Sequence, residues 1–196
     1  MTPRERRLAA DYEQIQNYFT GHPNIIVEPV EGRPPDRYLV TYHLQGLRWD
    51  NRLQRPVENN FHQAEIYLHR EYPRLKPRCL MKTEIFHPNF GDWICVGDYW
   101  AASETLADII IQIGQMIQYQ VYNTRSPVNT TAAHWARENG ALLPIGNIDL
   151  YRPDKGNSWC LPLADNNGTA PISIDLSENE AKISVTNEDD LDIDLL

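Results

Sequence analysis

The feature that most constrains the fold is a broad apolar stripe between residues 104 and 121. Five aliphatic side chains recur there every three or four positions: Leu106, Ile109, Ile110, Ile113 and Ile117. This spacing places all five on one face of an α-helix. A helix with so wide an apolar face has to lie against other elements, so we predict a core helix over about residues 104–121.

The chain before this stripe has the pattern of one helix followed by four strands. Thr2 to Glu5 has the capping-box spacing with proline at the first helical position, which predicts an amphipathic helix from about residue 3 to 19. Short apolar or alternating runs then predict strands at 25–27, 38–44, 64–68 and 79–81, with a loop at 50–52. After the core helix, Asn129 can cap a shorter helix that reaches Arg137. We therefore expect an α+β fold: an N-terminal helix, a four-stranded antiparallel meander, an irregular loop and two C-terminal helices.

Charge divides the chain after Pro144. Residues 1–144 hold 15 Lys/Arg against 16 Asp/Glu, net −1, whereas residues 145–196 hold 3 against 11, net −8. We predict a domain at 1–144 and an acidic extension at 145–196, in which residues 172–185 favour a β-hairpin. Too few apolar residues follow for a second core, so the hairpin either docks or stays mobile, and the last residues are a docking peptide or a flexible tail. The acidity disfavours nucleic acid as a partner.

The three cysteines indicate a reducing compartment. Cys79, Cys95 and Cys160 form no CxxC pair, and their odd number argues against a disulfide framework. No window approaches eighteen apolar residues, and the N-terminal residues lack the apolar segment of a secretory signal. We expect a cytoplasmic protein that has no membrane as a partner.

The densest group of chemically useful side chains lies in residues 85–100. Cys79 falls in an apolar strand and Cys160 in an apolar cluster, whereas Cys95 follows polar residues in an apparent loop, where a thiolate nucleophile can be displayed. Asn89, six residues earlier, has an amide that can donate a hydrogen bond to an oxyanion on an acyl group attached to Cys95. Alternatively, this amide bonds to nearby backbone and holds a turn.

His87 leaves two further interpretations open. As a base for Cys95, with Asp92 or Asp98 orienting its ring, it would make a cysteine hydrolase, although a histidine before proline also fixes loops. A zinc site from Cys95, His87 and Asp92 lacks the usual ligand spacing and a fourth ligand. We therefore expect no metal and no cofactor.

Taken together, these residues resemble the ubiquitin-conjugating enzymes. His87-Pro88-Asn89 matches the His-Pro-Asn motif of that family, Ile94-Cys95 its active-site pair, and Trp100 the tryptophan that follows. The predicted order of elements and the Tyr72-Pro73 turn also fit, so the resemblance covers about residues 3–143. It implies that Cys95 accepts a ubiquitin-like protein from an activating enzyme as a thioester and passes it to an amine of a protein target. ATP would be used by the activating enzyme.

The resemblance also implies roles for other residues. Asn89 would stabilise the oxyanion or hold the loop, while His87, Pro88 and Trp100 would be structural. Ser126 falls where the family often places a residue that gates the active site, and Asp98 is the candidate for local negative charge. Arg4, Arg6 and Arg7 on the first helix are either a surface for the activating enzyme or a solvated face.

Three departures from the family pattern narrow these expectations. The interval from Asn89 to Cys95 is two residues shorter than in the familiar eukaryotic enzymes, so the loop must follow a different course. Arg74 follows the Tyr-Pro turn, with Leu75 beside it, and residues 101–103 read Ala-Ala-Ser. The surface that a RING-type ligase grips is therefore altered, and we do not expect such a ligase.

The pattern resembles the compact bacterial branch that is encoded in antiphage (antiviral defence) operons. A protein that only binds a ubiquitin-like protein, without catalysis, is the remaining alternative. The presence of both Asn89 and Cys95 counts against it.

Overall fold

The computed structural model describes residues 1–97, 100, 101 and 103–151. Its elements in chain order are the helix α1 (Pro3–Phe19), the strands β1 (Ile25–Gly32), β2 (Pro35–Tyr42), β3 (Gly46–Asp50), β4 (Arg55–Asn59), β5 (His62–Tyr67) and β6 (Arg78–Met81), and the helices α2 (Leu106–Ile117) and α3 (Thr130–Glu138). A short 3₁₀ turn, Gly140–Leu142, follows. The predicted α+β class and element order are confirmed.

The main sheet is an antiparallel meander in the order β1-β2-β5-β6, as predicted. Two further strands, β3 and β4, were not predicted; they pair with each other as a hairpin between β2 and β5. The predicted loop at 50–52 lies at the turn of this hairpin, where Asp50 Oδ1 accepts the N–H groups of Arg52 and Leu53 at 2.8 and 3.0 Å. Each strand has five residues, and the apolar alternation of β3 is limited to Leu47 and Trp49, which is too short to predict a strand.

The helices α1 and α2 pack together and share one core with the main sheet. Helix α1 contributes buried Leu8, Ile15 and Phe19, and almost every residue of α2 is buried, as its apolar stripe predicted. Tyr42 in β2 donates its hydroxyl to the Ile110 carbonyl of α2 at 3.0 Å. Helix α2 lies deep in this core and therefore holds the residues that it contacts firmly in place. Some of these residues belong to the site described below.

Helix α2 is shorter than predicted. It begins after Thr105, whose side chain forms a capping box with Asp108, and it ends at Ile117. Tyr119 takes a left-handed backbone conformation with φ of 56°, and its hydroxyl donates to the Phe86 carbonyl. These tertiary contacts end the helix although no glycine or proline follows directly. Helices α1 and α3 match their predicted positions, including the Asn129 cap.

The chain after Pro144 continues along the domain. The Gln118 side-chain amide donates to the Ile148 carbonyl and accepts the Ile148 N–H, both at 3.2 Å. Two residues later, Leu150 is only 1% exposed and belongs to the main core, where a Cβ on Gly114 would lie 2.5 Å from its Cδ1. Packing therefore extends at least six residues beyond the predicted boundary at Pro144, because one apolar side chain fills a space over a glycine. The predicted hairpin at 172–185 and the acidic tail lie outside the described residues.

Candidate active site

The segment between Asn89 and Cys95 is a tight closed turn. The Cys95 N–H donates to the Asn89 carbonyl at 2.9 Å, Phe90 and Ile94 pair across the turn, and the Gly91 N–H donates to the Trp93 carbonyl at 3.1 Å. This miniature hairpin explains how six residues suffice to bring the chain from the asparagine back to the cysteine.

Cys95 is held at the surface by its two neighbours. Ile94 and Val96 are 4% and 7% exposed, so both side chains are anchored in the core, while Cys95 between them is partly exposed. The Ile94 N–H also donates to the Cys79 carbonyl of β6 at 2.9 Å. Within the part of the chain that the structure describes, no side chain forms a hydrogen bond with the Cys95 thiol. A thiol displayed in this way can accept an acyl group from a large partner.

Two side chains from elsewhere in the fold hold the residues that follow Cys95. Gln112 on α2 donates to the Val96 carbonyl at 2.9 Å, and the Lys76 ammonium donates to the Gly97 carbonyl. Gly97 has φ of 107°, a conformation that favours glycine. Neither contact was predicted from the sequence. Gln112 could have been found as a polar residue in a run of isoleucines, whereas no local signal marks Lys76.

The Asn89 side chain joins the active-site turn to the segment after α2. Its amide donates to the Asn123 carbonyl at 3.1 Å, and its carbonyl oxygen accepts the Asn123 N–H at 2.7 Å. Asn89 is 4% exposed. The amide nitrogen and the amide oxygen of the side chain therefore both hold the loop. An NH₂ group has two hydrogens, so one remains that does not bond to Asn123 and can donate to another group.

His87 is a buried structural residue. It is fully buried, its Nδ1 accepts the Asn89 N–H at 3.1 Å, and its ring contacts those of Phe90 and Tyr119 at centroid distances of 4.8 and 4.6 Å. Burial lowers the pKa of His87 to about 3, although the backbone of Val121 favours the protonated form. A ring that stays neutral and enclosed at neutral pH is unsuited to be the base of a hydrolase dyad.

We expect this histidine to make the fold sensitive to acid. The unfolded chain takes up the proton near pH 6.5, whereas folded His87 does so only near pH 3, so the unfolded state binds more protons between these values. Stability is therefore lost as the pH falls from about 6.5 towards 3, by about 1.4 kcal/mol per pH unit for one such group. The measurement is urea unfolding at several pH values in this window.

The matched variant is His87→Asn, which keeps a hydrogen-bond acceptor for the Asn89 N–H but does not titrate. Its unfolding free energy should fall less steeply with acid than that of the unmodified protein. Some slope should remain, because burial also lowers the pKa of His62. Parallel slopes for the two proteins would contradict the assignment to His87.

Two other motif residues connect the active-site turn to its surroundings. The Trp100 indole donates to the Pro73 carbonyl at 2.7 Å and packs against Tyr72 with a centroid distance of 5.9 Å. The Pro88 carbonyl accepts the N–H groups of Val128 and Asn129, both at 2.9 Å, at the start of α3. Trp100 and Pro88 therefore both form hydrogen bonds with other parts of the fold.

The three arginines on α1 differ in their surroundings. Arg4 donates to the Leu68 carbonyl at 2.7 Å and to Asp36. Arg7 forms an ion pair with buried Asp11 at 3.0 Å and donates to the Tyr72 hydroxyl. Arg6 is exposed. The guanidinium groups of Arg4 and Arg7 therefore support the fold, and Arg6 is the most exposed of the three.

The remaining site candidates are placed as follows. Ser126 is exposed, and its N–H donates to Asn123 Oδ1 at 3.3 Å. Cys79 is 3% exposed, and burial raises the pKa of its thiol to about 12, so it is unsuited to be a nucleophile. Asp98 and Cys160 lie outside the described residues. Among the residues that are described, no three His, Cys, Asp or Glu side chains are grouped closely enough to hold a metal ion.

Known proteins match both the fold and this site region. The family model for ubiquitin-conjugating enzyme matches residues 50–142, a range that contains Asn89 and Cys95. A solved structure of a novel ubiquitin-conjugating enzyme aligns with a TM-score of 0.54 at 21% identity, over 72% of this chain and 90% of that one. No curated protein matches the chain.

The fold is therefore that of the ubiquitin-conjugating enzymes. Residues 50–142 are the part of the chain that matches the ubiquitin-conjugating enzyme family, and the predicted resemblance is confirmed. In the described ranges, no helix combines the length and apolar content that crossing a bilayer requires.

Proposed function

We propose that this protein is a carrier of a ubiquitin-like protein. Cys95 accepts the C-terminal carboxylate of the modifier from an activating enzyme as a thioester, and an amine of a protein target then displaces it. The observation that carries the proposal is the placement of Cys95, a partly exposed thiol held between two buried side chains and closed onto Asn89 by a backbone hydrogen bond.

The surroundings of Cys95 favour a protein as the acyl donor. Trp93, at the tip of the same turn, has 55% of its surface exposed, and aromatic side chains of this kind are enriched in protein–protein interfaces. The uncommitted amide hydrogen of Asn89 is the candidate donor to the oxyanion that forms when an amine attacks the thioester. Asp98 remains a proposal for local negative charge and Ser126 for gating, while Arg6 is the candidate contact with the activating enzyme.

The proposal extends to partners that the fold does not define. Arg74 is exposed and paired with Glu71, and Leu75 beside it is 50% exposed, so the surface at the Tyr72-Pro73 turn is a mixture of charge and one aliphatic side chain. We propose that no RING-type ligase uses this surface, that no cofactor takes part, and that the protein acts in the cytoplasm of a bacterium as part of an antiphage conjugation system.

Of the alternatives, the cysteine hydrolase is disfavoured by His87. A hydrolase needs a base that is within reach of the thiol and accepts its proton at neutral pH. His87 is instead enclosed by aromatic rings, and its Nδ1 is occupied by the Asn89 N–H.

The proposal is tested by loading Cys95 with the ubiquitin-like protein. The protein is incubated with its activating enzyme, ubiquitin-like protein and ATP, and the product is examined by intact mass. We expect an adduct that an added thiol removes, because a thioester exchanges with free thiols. Cys95→Ala should form no such adduct, and Cys95→Ser should form an ester that resists thiols but is cleaved by alkali.

Cys79→Ala is the matched control, since it removes a buried thiol and leaves the displayed one. Its adduct should equal that of the unmodified protein. No adduct on the unmodified protein, when the activating enzyme itself is shown to be charged, would overturn the carrier function.

A further inference from the structure

A lysine amine lies beside the active-site segment. Lys76, between β5 and β6, is partly buried, and its ammonium donates to the carbonyl of Gly97, two residues after Cys95. A lysine side chain has a flexible four-carbon stem with freely rotating bonds. The Lys76 amine is therefore held beside the segment that carries Cys95, on a stem that can rotate.

The cations of the domain are almost all arginines. The whole chain has four lysines, at positions 76, 82, 155 and 182, among 18 basic residues. Arginine keeps its proton in proteins and cannot attack an acyl group, whereas a deprotonated lysine can. Lys82 lies just after β6 with its amine 3.6 Å from a Glu65 oxygen. Of the two lysines in the described residues, Lys76 is therefore the one that contacts the active-site segment.

We propose that Lys76 is an internal acceptor for the acyl group carried on Cys95, so that the protein modifies itself at this position. This inference rests on the proposed function, because it needs a thioester on Cys95. The observation behind it is the contact of the Lys76 amine with the Gly97 carbonyl, in a domain surface where nucleophilic amines are scarce.

The reaction is an S-to-N acyl transfer. The Lys76 ammonium releases one proton to solvent, and the neutral nitrogen attacks the thioester carbon. A C–N bond forms, the C–S bond breaks, and Cys95 leaves as a thiolate with the electron pair. The nitrogen loses its second proton, which the thiolate or water accepts, and an amide remains. No oxidant, reductant or further reactant is required. Because both groups belong to one chain, the amine has a high effective concentration at the thioester.

The transfer would also change the site. Acylation removes the positive charge of Lys76 and leaves a single N–H where the ammonium had three donors. The modifier would then remain attached beside Cys95, in the space that an incoming target amine needs. Self-modification thus competes with transfer to a target, and a molecule modified in this way no longer transfers a modifier.

The test uses a short peptide thioester with a C-terminal glycine as the acyl donor, so that no activating enzyme is needed. The 196-residue protein carries Cys160→Ser, which removes the thiol outside the described residues, and intact mass is followed over time. We expect a thiol-cleavable adduct first, and then an adduct that resists both thiol and alkali and maps to Lys76. Modification at Lys82 should be lower by on the order of tenfold, because that lysine does not contact the active-site segment.

Lys76→Arg is the decisive variant, because arginine can still donate to the Gly97 carbonyl but cannot be acylated under these conditions. It should load on Cys95 and form no resistant adduct at position 76, and Lys82→Arg should behave like the parent. A resistant adduct at Lys76 in a Cys95→Ala protein would overturn the inference, because acylation would then bypass the cysteine.

The remaining outcomes separate this inference from the proposed function. A Cys95 thioester that decays only by hydrolysis, with Lys76 unmodified, overturns the internal transfer and leaves the carrier function intact. Failure of the activating enzyme to load Cys95, with S-to-N transfer still seen from the peptide thioester, overturns the carrier function and leaves the reactivity of Lys76 in place. Failure of the peptide thioester to acylate Cys95 overturns the internal transfer.

Discussion

Replacing Leu150 by alanine lowers the free energy of unfolding by about 2–5 kcal/mol, the range for truncation of a fully buried leucine. The side chain is 1% exposed and packs in the main core over Gly114 of α2. Truncation leaves a cavity over a glycine, and glycine has no side chain with which to fill it. Urea unfolding of the 196-residue protein, followed by fluorescence or circular dichroism, measures the loss.

Ile148→Ala is the matched control for this prediction. Ile148 belongs to the same segment, but its side chain is 37% exposed, and its bonds to Gln118 use only backbone atoms. We expect it to cost less than about 1 kcal/mol, within the range for an exposed substitution. If Leu150→Ala costs no more than Ile148→Ala, residues 145–150 are not part of the folded domain.

Replacing Asn89 by alanine should slow transfer of the carried acyl group to an amine by on the order of a hundredfold, the cost of losing one oxyanion donor. The variant also removes the two hydrogen bonds to Asn123. Because Asn123 is exposed and water can replace part of what is lost, we expect a stability loss of about 1–2 kcal/mol. Single-turnover discharge to an amine, with loading measured separately, gives both steps.

Asn123→Ala separates holding the loop from stabilising the oxyanion. It removes a side chain that accepts the N–H groups of Arg125 and Ser126 at 2.8 and 3.3 Å, but it keeps the backbone groups to which Asn89 bonds. This variant should loosen the loop and retain most of the discharge rate. If loading of Asn89→Ala falls as far as its discharge, the asparagine acts only by holding the loop.

Much of the fold was predictable because local pattern and tertiary packing agree. The capping box at Thr2 and the apolar periodicity of α1 and α2 each report a helix, and the alternating strands report the main sheet. Where an element is defined by contacts distant in sequence, the prediction was less accurate. The end of α2 depends on Tyr119, whose hydroxyl reaches the Phe86 carbonyl far back along the chain. The β3–β4 hairpin has too short an apolar alternation, Leu47 and Trp49, to predict a strand.

The candidate site shows the same division. His87, Asn89 and Cys95 were found because they lie in one short segment, and the neutral, enclosed state of His87 agrees with the structural role implied by the resemblance. Gln112 and Lys76 were missed since each reaches the segment from another element. Arg4 and Arg7 sit at positions where the sequence indicates exposure, but their partners Asp36 and Tyr72 lie far along the chain.

Two side-chain amides in the described part of the domain bind a distant residue in the same way. Asn89 and Gln118 each present a primary amide that pairs with both the N–H and the C=O of one distant residue, as a neighbouring strand would. A residue that is bound only through its backbone groups can carry almost any side chain. At position 148 substitution should therefore be tolerated broadly, with proline as the exception, because proline has no N–H to donate. Asn89 and Gln118 themselves should tolerate fewer substitutions, since a carboxylate at either position accepts a hydrogen bond but cannot donate one.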